Sequence, residues 1–138
     1  MSGNKTLSLK IVVNRIVMTV GLAAAVWGCS EPTLQDIAGA YNRTDGLLRE
    51  SIILKADGTF DQIVVCANGR EFKLSDRWTN DYRRIEFAKM YITRDTMNAK
   101  VLLSPKLQGS TYFGWSKGYL VFDPDQNYIL KLQSSMPK

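Results

Sequence analysis

Closely spaced turn signals are the feature that most constrains the fold of this chain. Asp-Gly pairs at 45–46 and 57–58, Asn68-Gly69 and Lys117-Gly118 interrupt the sequence, and a polar cluster at 123–127 adds a further signal. Gly and Asn tolerate the positive φ of tight hairpin turns, and the runs between these signals are short and rich in β-branched and aromatic residues. Long helices do not fit between the turns, so the sequence predicts antiparallel hairpins.

Alternation of apolar and polar residues supports strands. Phe72, Leu74 and Trp78 share one face of a predicted strand, with charged and polar residues between them. We predict strands at 40–43, 50–55, 60–66, 70–79, 84–91, 100–103, 111–116, 119–123 and 128–133. Closure removes exposed strand edges, so the expected fold is mainly β: a small antiparallel up-and-down barrel, or else a meander, of about eight or nine short strands.

The first 28 residues have the three regions of an export signal. Residues 1–15 are polar and basic, residues 16–27 are apolar, and Gly28 and Cys29 follow with small residues nearby. The apolar stretch is shorter than the ~20 residues that a membrane-spanning helix needs. The alternative is an uncleaved membrane helix at 7–28, which Lys10, Asn14 and Arg15 would interrupt at high cost.

Val26-Trp27-Gly28-Cys29 resembles the lipobox of bacterial lipoproteins. The resemblance implies cleavage between Gly28 and Cys29, and attachment of diacylglyceryl and palmitate-like chains to the Cys29 thiol. It divides the chain into a signal peptide at 1–28, a lipidated cysteine with a short tether at 29–33, and a single β domain at 34–138. Ser30, where an Asp would favour the inner membrane, predicts the periplasmic face of the outer membrane in the bacterial cell envelope.

The residue inventory limits the chemistry. Histidine is absent, which excludes Ser-His-Asp triads and histidine metal sites. With Cys29 lipidated, Cys66 has no disulfide partner and is expected to be a buried, inert thiol. The cluster at 123–127 is interpreted as a hairpin turn rather than a calcium loop, so no metal and no cofactor are expected.

Charge gives no reason to expect nucleic acid as a partner. The formal net charge is +5, but Lys5, Lys10 and Arg15 fall in the signal peptide, so the remaining chain is closer to neutral. An envelope location also separates the protein from nucleic acid. The basic residues in the middle of the chain are explained by solubility or by anionic lipid headgroups beside the anchor.

A second resemblance concerns the β domain. Thr33 and Asp36 fit the capping box that starts a helix, and Gly39 limits this helix to one turn. The helical turn, the segment 39–41, the segment 54–60, Trp78 and the segment 85–87 follow one another as in the lipocalin-like small barrels of uncharacterised bacterial lipoproteins. The layout covers about half of the domain. It implies the fold and leaves the function open.

The functional expectation is a non-catalytic binding module, such as an inhibitor or an immunity factor against a toxin. Aromatic residues are concentrated in the last third of the chain, and Tyr112, Trp115 and Tyr119 are the candidate partner surface. The alternatives are a lipocalin-like carrier of an apolar small molecule and a structural envelope lipoprotein. A hydrolase that uses Asp76 and Glu86 is the least favoured, since a salt bridge of Asp76 or a strand bulge explains that residue.

Overall fold

The computed structural model describes residues 30–95, 97, 100–123 and 128–135, which form one short helix and ten strands. The prediction of a mainly β chain is confirmed. In chain order the elements are α1 (Leu34–Ile37), β1 (Gly39–Asp45), β2 (Leu48–Leu54), β3 (Thr59–Cys66), β4 (Glu71–Asp81), β5 (Arg84–Phe87), β6 (Met90–Arg94), β7 (Val101–Gln108), β8 (Thr111–Ser116), β9 (Tyr119–Asp123) and β10 (Tyr128–Ser135).

Eight of these strands close into an antiparallel barrel in the order β1-β10-β9-β8-β5-β4-β3-β2. Each neighbour is also a neighbour in sequence, except where β10 closes on β1 and where β8 follows β5. The closing pair aligns Gly39 with Ser135 and Asn42 with Lys131, with an irregularity after Ala40. The predicted up-and-down barrel is therefore confirmed, and closure leaves its strands without an unpaired edge.

The predicted turns begin or end the hairpins as expected. Gly46, Gly58, Gly69 and Gly118 all have positive φ. The Asn68-Gly69 turn is held by the Gly69 amide, which donates to the Cys66 carbonyl, and by the Asn68 side chain, which accepts from the next amide. The turn between β4 and β5 has no glycine, so the sequence carried no such signal there. In this turn Tyr82 adopts the positive φ, 60°.

The predicted strand at 84–91 is wrong. The chain leaves the barrel after Phe87 and forms the separate hairpin β6–β7 before it returns as β8. Ile85 and Phe87 are buried at alternate positions, but the next buried residue is Met90, three positions on. This break in the period of two was the available signal, because one continuous strand cannot present both Phe87 and Met90 on one face.

The second predicted strand of this region, at 100–103, is too short. β7 continues to Gln108 through Pro105, which cannot donate to a ladder. The pairing of β6 with β7 accommodates it: Ile92 aligns with Lys106 and Arg94 with Val101, so one residue of β6 opposes residues 102–105 of β7. This bulge directs Leu103 outward.

The two ends of the barrel are closed by different elements. We call proximal the end where β1 begins and where α1 lies. A capping box of Thr33 and Asp36 starts α1, as predicted, and buried Ile37 packs into the core. The Tyr41 hydroxyl donates to the Ile37 carbonyl at 2.6 Å, and the Asn80 amide donates to the Pro32 carbonyl at 3.0 Å. The opposite, distal end carries the β1–β2 and β3–β4 turns and is covered by the β6–β7 hairpin.

The barrel interior is filled by large side chains. The fully buried aromatic residues are Tyr41, Phe60, Trp78, Phe87, Phe113 and Tyr128. Phe87 packs edge to face against Phe60, with ring centroids 4.8 Å apart, and against Phe113 at 5.4 Å. The Trp78 indole N–H lies 3.0 Å from two backbone carbonyls, so its one polar atom is also satisfied.

Candidate functional site

The predicted partner surface is divided between the two faces of the barrel wall. Tyr112 and Tyr119 lie outside and are 41% and 42% exposed. The Arg84 guanidinium lies 3.8 Å from the centre of the Tyr112 ring. Trp115 instead lies on the inner face, where its indole N–H donates to the Tyr41 hydroxyl at 3.1 Å. The three residues therefore do not form one continuous surface.

Asp76 and Glu86 do not come together. Asp76 lies on the same face of β4 as Trp78, and its carboxylate accepts from the Arg77 amide. Glu86 lies on the outer face of β5, where the Tyr112 hydroxyl is 3.3 Å from its carboxylate. The two carboxyl groups occupy opposite faces of the wall, so they do not share one reacting group as glycoside hydrolysis requires.

A buried polar network lies beneath the β6–β7 hairpin, and none of its residues is among the predicted site residues. Glu50 is 2% exposed and accepts hydrogen bonds from the Gln62 amide at 2.8 Å, the Thr93 hydroxyl at 2.9 Å and the Tyr128 hydroxyl at 3.3 Å. Arg43 places its Nε 3.7 Å from the same carboxylate and donates through Nη2 to the Thr93 oxygen at 2.8 Å. Among the buried side-chain nitrogen and oxygen atoms of these residues, Arg43 Nε alone has no hydrogen-bond partner, and it is the atom that forms the ion pair with Glu50.

The pattern of the strands contained a signal for this network. Leu48, Ile52 and Leu54 face inward on β2, so Glu50 at the same parity must also face inward. Gln62 follows from the same reasoning on β3, between inward-facing Phe60 and Val64. What the sequence did not give is the hairpin that supplies Thr93.

Burial dominates the electrostatics of the network. It raises the pKa of the Glu50 carboxyl above its usual range, while the Arg43 charge and the donated hydrogen bonds partly offset the shift. Burial, together with the negative charge of Glu50, also raises the pKa of the Tyr128 phenol. The Arg43 guanidinium lies 4.5 Å from the centre of the Tyr128 ring, which adds a cation–π contact.

The network and its neighbours fasten the hairpin to the barrel. The Gln62 side chain accepts from the Tyr91 amide at 2.7 Å and donates to the Tyr91 carbonyl at 2.8 Å, so it pairs with β6 as a strand backbone would. The Asp45 carboxylate accepts from Arg94 at 2.7 Å. Since Met90 and Ile92 are also buried in the core, β6 is held from both its backbone and its side chains.

A partly enclosed apolar pocket lies where the hairpin meets the distal turns. Its volume is about 230 Å³. It is lined by Leu47, Cys66, Ala67, Asn68, Leu102 and Leu103. Leu47 is 55% exposed and Leu103 is 85% exposed, while the Cys66 thiol is buried, as predicted. We call Leu47, Ala67, Leu102 and Leu103 the distal surface; Met97, near the tip of the same hairpin, is a further exposed apolar side chain.

The predicted cleavage and lipidation site, Gly28 and Cys29, lies outside the described residues, as does most of the turn at 123–127. No helix among the residues that the structure describes is long and apolar enough to cross a membrane. No protein-family model, curated protein or solved structure matches this chain.

Proposed function

We propose that this protein is a lipid-anchored, non-catalytic module of the bacterial cell envelope that binds another protein, in the manner of an inhibitor or immunity factor. The observation that carries the proposal is the filled barrel with its exposed distal surface. Aromatic side chains occupy the interior, while Leu47 and Leu103 remain exposed at the distal end. Exposed apolar side chains beside a pocket are typical of protein-binding surfaces.

The packing favours this function over that of a small-molecule carrier. A carrier barrel holds its ligand in a cavity that its own side chains leave free. Here Phe87 contacts both Phe60 and Phe113 in the interior, and α1 and the β6–β7 hairpin cover the two ends. An apolar ligand would have to displace these rings, at a cost of several kcal/mol.

The buried carboxylate also favours binding over catalysis. Glu50 has the raised pKa that a general acid needs, but Gln62, Thr93 and Tyr128 already surround its oxygens. A substrate atom would need to reach within about 3 Å of the carboxylate. At 2% exposure Glu50 offers no such approach, and its contacts explain its position as a fastening for the hairpin.

The proposed anchor sets the orientation. Pro32 is bonded to Asn80 at the proximal end. Cys29 precedes Pro32 by three residues, a length of chain that spans at most about 11 Å between Cα atoms. The proximal end would then face the membrane, in our proposal the periplasmic side of the outer membrane, and the distal surface would face away from it.

Native mass spectrometry of the tagged full-length protein, gently extracted from its own membranes, tests the proposal. We expect a mature chain that begins at acylated Cys29, accompanied by a protein partner. A Cys29→Ser variant is the matched control, and it should keep residues 1–28 and remain unacylated. A wild-type chain that begins at unmodified Met1 would contradict the anchor. A stoichiometric small molecule would favour the carrier, and an acylated chain without any partner would favour a purely structural lipoprotein.

A further inference from the structure

We infer that the distal surface recognises an acidic protein segment that inserts one apolar side chain into the distal pocket. The inference rests on the proposed function and names the chemistry of the partner. The pocket has a volume of about 230 Å³ and walls from three separate elements: the β1–β2 turn, the β3–β4 turn and the bulge of β7. A pocket of this kind accommodates one large side chain, as at the centre of many protein interfaces.

The charges around the pocket specify an acidic partner. Arg49 lines a second depression that shares Leu47, Cys66 and Ala67 with the pocket. Arg70 and Lys100 each lie two residues in sequence from a lining residue, Asn68 and Leu102 respectively, and all three cations are exposed. None forms an ion pair with a residue that the structure describes. Carboxylates that surround an apolar side chain would complement this rim.

The acids on the adjoining strands are already engaged. Asp45, at the end of β1, contacts both Arg43 and Arg94. Glu71, at the start of β4, is 3.0 Å from Lys73. Asp95, whose amide donates to the Lys100 carbonyl, accepts from the Met97 amide, and the Arg70 guanidinium lies 5.2 Å from the centre of the Phe72 ring. Within the described residues, therefore, no ion pair neutralises the charge of the three exposed cations.

The same charges argue against two other occupants. A second copy of the chain that docked through the same surface would bring its own Arg49, Arg70 and Lys100 against this rim, and like charges in an interface cost several kcal/mol. The membrane that holds Cys29 would lie beyond the opposite end, because seven-residue β1 spans the barrel over about 15–20 Å. A protein that approaches from the aqueous side fits both the charge and the position.

The buried network gives the pocket its rigidity. Leu102 and Leu103 belong to the β6–β7 hairpin, whereas Leu47 and Ala67 belong to the barrel. Thr93 joins the two parts through its contact with Glu50. A pocket that is already assembled costs a partner less ordering entropy on binding.

Site-specific photocrosslinking in the cells that make the protein tests this inference. The full-length chain carries p-benzoylphenylalanine at the position of Leu103, and in matched samples at the position of Leu107 or Tyr112. Leu107 is a suitable control because it is also an exposed leucine of β7 but does not line the pocket. Mass spectrometry then identifies the molecule joined at each position and, for a protein, the segment joined.

We expect a protein adduct at position 103 whose joined segment carries Asp or Glu beside an apolar residue. Arg49→Glu should lower the adduct yield by about tenfold, since reversing a charge beside a binding pocket costs at least 1.4 kcal/mol. Lys131→Glu, on the outer face of β10 near the proximal half, should leave it within about twofold. Leu103 is 85% exposed, so replacing it should not impair folding.

A lipid adduct, an adduct with a second copy, or a protein adduct that Arg49→Glu leaves unchanged would overturn the inference. A protein adduct at position 112 with none at 103 would also overturn it, yet would leave the proposed protein-binding function in place. If no position yields a protein adduct and the acylated protein travels alone, the proposed function itself fails.

Discussion

Replacement of Thr93 by valine should loosen the distal end of the barrel. Valine has nearly the same shape as threonine, so the change removes the hydroxyl and little else. That hydroxyl is fully buried and lies within hydrogen-bond distance of Glu50, Arg43 and Tyr128. Thr93→Val therefore removes one of the two points at which the hairpin joins the network; the Gln62 side chain keeps its two hydrogen bonds with the Tyr91 backbone.

The magnitude follows from the partners that remain. Glu50 keeps the donors from Gln62 and Tyr128, and Arg43 keeps its contact with Asp45. A buried polar group that loses one hydrogen-bond partner costs about 1–3 kcal/mol. Because the Glu50 carboxylate and the Arg43 guanidinium each keep other partners, the lower half of that range applies to each of them. The free energy of unfolding should fall by about 3 kcal/mol, which lowers the Tm by about 10–20 °C.

Urea unfolding followed by tryptophan fluorescence measures this loss, because Trp78 is buried in the folded state. Thr79→Val is the matched control: Thr79 is exposed on β4, and its change should stay within about 0.5 kcal/mol. Amide hydrogen exchange should also accelerate in β6 of Thr93→Val. If Thr93→Val and Thr79→Val unfold at the same urea concentration, the Thr93 hydroxyl does not fasten the hairpin.

Three further predictions concern titration and backbone strain. Because its folded-state pKa is raised, Glu50 contributes stability that is present below its unfolded pKa near 4.5 and is lost as pH rises through the folded value. In Glu50→Gln, the free energy of unfolding, measured with urea between about pH 4 and 8, should no longer show this decrease with rising pH. The same pH dependence in variant and wild type would contradict the prediction. Asp61 has the opposite sign: the hydrogen bond from Lys55 chiefly lowers its pKa, so its contribution is present above an unfolded value of 3.8 and is lost as pH falls through the folded one. Asp61→Asn should reduce the loss of unfolding free energy that the wild type shows as the pH falls below about 4. An unchanged loss would count against a stabilising Lys55–Asp61 pair. Tyr82→Gly should raise the free energy of unfolding by about 1 kcal/mol, because glycine adopts φ 60 without strain; a lower Tm in calorimetry would refute this.

Much of the fold was accessible from the sequence because its signals are local. The Asn68-Gly69 pair requires a tight turn whatever surrounds it, and the alternation through Phe72, Leu74 and Trp78 requires one buried face. Together with the capping box at Thr33, such signals predicted the helix, most of the strands and the closed barrel. The inward positions of Glu50 and Gln62 could have been read from the same alternation.

The candidate site was not accessible in this way, because it is assembled across distant parts of the chain. Nothing near Leu47 in sequence indicates that Leu103 lies across the same pocket. Trp115 was grouped with Tyr112 and Tyr119 because all three are aromatic and close in sequence. The alternation of β8 instead places its side chain on the inner face, where its indole N–H donates to the Tyr41 hydroxyl. Local sequence thus determined the turns and the alternation, and these favoured a closed barrel over an open sheet. Only the tertiary structure decided that β6–β7 leaves the wall and covers the distal end, since the contacts that hold it there join residues up to 50 positions apart, between Arg43 and Thr93.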